Sequence, residues 1–78
     1  MHNRIAMLRG ELAVSRQQLA DAVKANVQTI GSIERGDSAP GLELAMKIAG
    51  VFGVPVTAVF SLTPFEPIAQ RLQRSGSH

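Results

Sequence analysis

The order of apolar and polar positions divides the 78-residue chain into short helical segments. Ile5, Leu8 and Leu12 recur at spacings of three and four, which predicts a first helix with one apolar face, and Asn3 stands where an N-cap is expected. Gly10 inside that helix costs roughly 1 kcal/mol against alanine. After Ser15 the period resumes with Leu19, Ala20 and Val23, and Ser15 with Gln18 three residues on has the signature of a capping box. Asn26 is a second cap candidate and opens a run in which Ile30 and Ile33 share a face. Glu34-Arg35-Gly36 ends that run, with glycine where a left-handed residue closes many helices. Asp37 to Gly41 has loop composition, and Pro40 blocks continuation of the preceding helix.

A fourth helix is expected from about Leu42 to Phe52, with Leu44, Ala45, Ile48, Ala49 and Phe52 as a wide buried stripe. Gly53 closes it and Pro55 marks a new start. Val56 to Phe60 predicts a short fifth helix that is almost wholly apolar, either a plug for the core or half of a dimer contact. No convincing strand is predicted, so the fold class is all-α, a compact five-helix bundle. Ser61 to Phe65 reads as irregular, and Pro67 as the start of a last helical turn carrying Ile68 and Leu72, with Arg71 and Arg74 making it basic. The ending Arg74 to His78 has the composition of a flexible tail or of an expression scar, and no function is expected of it. The expected organisation is a domain over residues 1–62 and a C-terminal extension over 63–78.

The segment from Ser15 to Gly36, SRQQLADAVKANVQTIGSIERG, comprises two short helices with a three-residue join. Those are the dimensions of a helix-turn-helix, whose second helix enters the major groove of DNA. The residues Ser15, Leu19-Ala20, Thr29-Ile30, Ile33-Glu34 and Gly36, continuing into Pro40, Leu42, Leu44-Ala45, Lys47-Ile48-Ala49 and Val59-Phe60, resemble the phage repressor and Cro family of helix-turn-helix regulators. Asn3-Arg4-Ile5 and Leu8-Arg9 also look like that family's first helix, so the resemblance covers roughly residues 3 to 60. It implies a lambda repressor-like DNA-binding fold and a double-stranded DNA partner.

By this resemblance the base-contacting positions are Asn26, Val27 and Gln28, with Ser32 one turn further along. The Gln28 amide suits adenine N6 and N7, Val27 can pack only on a thymine methyl, and Asn26 can equally be a cap alone. Arg16 stands where the family usually places a glutamine that touches the DNA backbone, and Arg35 and Ser38 fall at phosphate positions. Asp37 beside them opposes DNA by its charge. The resemblance also suggests a structural pairing of Glu34 with Arg9, and Thr29, Ile30 and Ile33 are assigned to packing. The chain departs from the family at Ala13 and Lys24, both usually glycine. Gly31, in mid-helix, has two readings: close backbone approach to DNA or a neighbouring helix, or a tolerated residue on an exposed face.

Composition narrows the alternatives. There is no cysteine, so neither a disulfide framework nor a thiolate zinc site is available. The only histidines are His2 and His78, and the six carboxylates are scattered, so no metal site, cofactor or catalytic constellation is expected. No stretch approaches the roughly 20 apolar residues that span a bilayer, and no secretory signal is visible, so no membrane partner and a cytoplasmic location are expected. A net charge of +2 is only mildly basic and suggests few phosphate contacts per subunit. A homodimer is therefore expected, through Val56, Val59, Phe60 and Phe65, acting as a repressor or autoregulator on a palindromic operator. The rival reading uses the same apolar residues to bind another protein, as an antitoxin-like or adaptor module.

Overall fold

In the computed structural model, residues 1–65 are described, and they fold in the order β1 (His2–Asn3), α1 (Ile5–Leu12), α2 (Arg16–Val23), α3 (Val27–Glu34), α4 (Leu42–Phe52), α5 (Val56–Val59) and β2 (Phe60–Ser61). The five expected helices are present. The helical turn expected after Pro67, with Ile68 and Leu72, and the Arg74 to His78 tail lie outside the described residues.

Capping chemistry sets where the helices start. The Ser15 hydroxyl accepts the Gln18 backbone N–H at 3.0 Å, and the Gln18 side chain accepts the Ser15 N–H at 2.8 Å, completing the capping box of α2. Asn26 Oδ1 accepts the Gln28 N–H at 2.7 Å and caps α3. Asn3 Oδ1 accepts the Ile5 N–H at 3.2 Å, while its amide donates to the Ile33 carbonyl at 2.8 Å. One side chain thus starts α1 and fastens it to the end of α3.

Four helices close with the same pair of reverse bonds around a left-handed residue. For α3 these run from Gly36 N–H to Ile33 O and from Asp37 N–H to Ser32 O, both 3.0 Å, with Gly36 at φ 80°. Helices α1 and α2 make the equivalent turns on Ala13 (φ 54°) and Lys24 (φ 57°). A non-glycine residue in that conformation costs about 1–2 kcal/mol. The two family glycines are therefore absent, yet both backbone turns are kept.

The apolar stripes meet in one core of Ile5, Leu19, Ala20, Val23, Ile30, Ile33, Ala45, Ile48, Ala49, Phe52, Val59 and Phe60. Full burial of each large aliphatic member stabilises by about 1.5–3 kcal/mol. Leu44 packs against this core partly buried, whereas Leu12, at the end of α1, is half exposed and falls off the predicted face. The absence of strands is corrected in one place. His2 and Asn3 pair antiparallel with Ser61 and Phe60. The Arg4 N–H also donates to the Val59 carbonyl at 2.8 Å, so the N-terminus is laced along the end of α5.

This lacing also bears on the expected association surface of Val56, Val59, Phe60 and Phe65. Phe60 leaves α5 for β2, and Val59 and Phe60 are buried in the core of their own domain. Val56 packs partly buried against the same core. Val59 has no surface to offer a partner and Phe60 very little. Phe65 is half buried, and the Arg4 guanidinium lies 4.1 Å from its ring centre in a cation–π contact. Among the described residues of this segment, Leu62 is the most exposed apolar side chain, at 85%. No helix among the described residues is long and apolar enough to cross a membrane.

Candidate nucleic-acid interface

Helix α3 turns Val27, Ile30 and Ile33 toward the domain and the opposite arc toward solvent, with Gly31 at the edge between them. The outer arc carries Gln28, Thr29, Ser32 and Arg35, all exposed except half-buried Ser32. Thr29, expected in packing, is exposed beside Gln28. At about 100° per residue it stands about 40° from buried Ile33 and about 60° from Ser32, at the edge of the apolar stripe, so the packed structure and not the helical period decides its side. Val27 leans on the core, which reduces what it can present to a base. The Asn26 side-chain oxygen is held by its capping bond, leaving only its amide nitrogen to face outward.

The loop after α3 folds back onto this arc. Ser38 Oγ donates to Ser32 Oγ at 3.0 Å, joining a candidate base-contacting residue to a candidate phosphate-contacting one. Arg35 Nε donates to Asp37 Oδ2 at 3.0 Å, with both side chains more than half exposed.

Behind the arc lies a charge cluster. The Glu34 carboxylate, only 6% exposed, accepts from Arg9 at 3.0 Å and from Arg16 Nε at 3.0 Å. Arg9 binds through both Nε and Nη2, and its Nη1 donates to the Val14 carbonyl, so it spans α1, the join before α2 and α3. The suggested Arg9–Glu34 pair is present, and Arg16 shares the same carboxylate. This sharing was not legible in the sequence. It brings Arg16, at the start of α2, beside α3.

Gly31 finds its explanation here. It is buried, and a Cβ on it would stand 3.2 Å from Arg35 Nη1 and 3.5 Å from Arg16 Nη1. The two guanidinium groups lie over the bare backbone of α3. The glycine provides close approach, but to two arginines rather than to a neighbouring helix. The structure thus gathers Arg16, Arg35, Gln28, Ser32 and Ser38 around α3, and leaves the Val56 to Phe60 segment on the other side of the core's work, in packing.

A domain whose second and third helices are held at a three-residue turn, with a polar outer arc flanked by arginines, has the form of a helix-turn-helix DNA-binding domain. A helix-turn-helix family model matches residues 5–59. The chain is 37% identical over 62 residues to YgzD, an uncharacterized HTH-type transcriptional regulator of Bacillus subtilis, covering 80% of this chain and 94% of that protein. An uncharacterized HTH-type transcriptional regulator of Methanocaldococcus jannaschii is 37% identical over 60 residues, covering 77% of this chain and 91% of its own. A transcriptional regulator from Listeria innocua, known from a crystal structure, shares the fold with a TM-score of 0.65 at 13% identity, over 99% of this chain and 78% of that one. The chain belongs to the Cro/CI-like helix-turn-helix family of transcriptional regulators.

Proposed function

We propose that the chain is a sequence-specific regulator that binds a near-palindromic operator as a homodimer, in the cytoplasm, as a repressor or autoregulator. The observation that carries this reading is the outer arc of α3, where Gln28, Thr29 and Ser32 are available to base edges beside the Arg16 and Arg35 guanidinium groups. Gln28 is the principal reader, since a glutamine amide pairs bidentately with adenine in the major groove. Arg16, Arg35 and Ser38 hold the phosphate backbone and set the register.

Dimerisation follows from how little one subunit brings. A single reading helix with a handful of cations falls short of the contacts behind the roughly 10⁻⁸ to 10⁻¹¹ M affinities of specific regulators. Two subunits related by a twofold axis would read half-sites about 34 Å apart. Because Val59 and Phe60 are used internally, the contact draws on Leu62 and the exposed side of Phe65.

Selection of bound sequences from a random duplex pool tests the reading, with Gln28→Ala run beside the wild type. An enriched palindrome is expected, and Gln28→Ala should relax one position in each half-site at a cost of about 1–3 kcal/mol. No enrichment, or a single half-site bound by a monomer, refutes the dimeric reading; an unchanged motif removes Gln28 from it.

A further inference from the structure

We propose that Arg16 and Arg35 grip one and the same backbone phosphate, over the patch of α3 that Gly31 leaves bare. The proposal rests on the DNA-binding reading above and goes beyond it. Two arginines assigned to phosphate contacts would ordinarily be expected to touch two different phosphates, one at each end of the reading helix. The geometry points elsewhere.

Arg16 comes from the start of α2 and Arg35 from the residue that ends α3, yet their Nη1 atoms lie within 3.5 Å of a single point above Gly31. Each guanidinium is held from behind by a carboxylate on its Nε, Glu34 for Arg16 and Asp37 for Arg35, both at 3.0 Å. A guanidinium engaged at Nε leaves its outer N–H groups unoccupied by that carboxylate, and their fork suits a tetrahedral anion. Two like charges brought this close repel each other unless a negative group lies between or beside them. Glu34 and Asp37 supply that charge on the protein side, and a phosphate supplies it on the outer side. Gly31 gives the convergence room, since a Cβ there would be tight against Arg35 Nη1 at 3.2 Å and in contact with Arg16 Nη1 at 3.5 Å. It costs the helix about as much as glycine does anywhere in a helix interior, and neither a positive φ nor close helix packing calls for it.

The sharing has a thermodynamic signature. Each phosphate neutralised contributes about 0.9 to the slope of log affinity against log salt on duplex DNA. Arg16→Ala, Arg35→Ala and the double variant should therefore be titrated with duplex over a range of salt. One shared phosphate predicts that the double variant loses about 0.9 of slope in total, with an affinity loss well below the product of the two single losses. Two separate phosphates predict about twice that slope, with multiplicative losses, and that result would overturn the proposal. If instead wild type shows no salt-dependent duplex binding, the functional reading fails and takes this one with it, an outcome that cannot be confused with additive losses. Gly31→Ala supplies a second readout that misfolding cannot mimic. A Cβ there displaces two mobile guanidinium ends, so the melting temperature should hold or rise with helix propensity while affinity falls. Unchanged affinity in a stably folded Gly31→Ala protein also overturns the proposal.

Discussion

Replacing Glu34 by alanine should destabilise this domain more than any other change to a charged residue among those described. Its carboxylate is 6% exposed and is shared by Arg9, 18% exposed, and Arg16, 46% exposed. Removing one partner of a fully buried ion pair costs about 3–5 kcal/mol, whereas an exposed pair is worth about 0–1. The Arg9 side of the cluster lies near the first limit and the Arg16 side near the second. Because both guanidinium groups can still reach solvent, the expected loss is about 2–3 kcal/mol. A domain of this size is stable by about 4–12 kcal/mol and shifts its melting temperature by about 4–8 °C per kcal/mol. Thermal and urea unfolding followed by circular dichroism should therefore show a fall of roughly 10–20 °C. Arg9 adds to this, since it also holds the Val14 carbonyl and with it the join between α1 and α2. Arg16→Ala removes only the exposed half and should cost less than about 1 kcal/mol. Were Glu34→Ala to cost under about 0.5 kcal/mol, or Arg16→Ala to cost as much as Glu34→Ala, the cluster would not be a structural clamp centred on Arg9.

Ala13→Gly and Lys24→Gly should each raise stability by about 0.5–1 kcal/mol, the left-handed penalty less the added freedom of the unfolded chain, and the effects should add because the sites share no partner. Calorimetry of the two single variants and the double checks this, and a fall in both singles would show that the αL strain is relieved in some other way. Asp37→Asn removes an exposed acid that engages Arg35, and so exposed a pair contributes too little for its loss to outweigh the negative charge removed. Affinity for any duplex should rise about two- to fivefold at low salt and converge with wild type at high salt, with stability unchanged within about 0.5 kcal/mol. A gain confined to one sequence would mean that Asp37 acts on base readout instead.

The local rules acted where the pattern is short-range. The capping box at Ser15 and Gln18, the Asn26 cap, the Gly36 and Gly53 helix ends and the apolar stripes of α2 and α4 are properties of residues three or four apart, and a sequence displays those directly. The same reach covers most of α3, but not Thr29, which stands at the edge of the apolar stripe beside Ile33 and is exposed only because no element packs over it. What required the tertiary structure involves residues far apart in the chain. The pairing of His2 and Asn3 with Ser61 and Phe60 carries no periodic signal, since two-residue strands are too short to alternate. The burial of Val59 and Phe60 depended on whether another element covers them, which an apolar run cannot say by itself. Arg16 and Arg35 look like two independent surface charges nineteen positions apart, and Gly31 like a flaw in a helix. Only packing α2 against α3 lays both guanidiniums over that glycine, because helix contacts are set by which faces must leave water and not by distance along the chain.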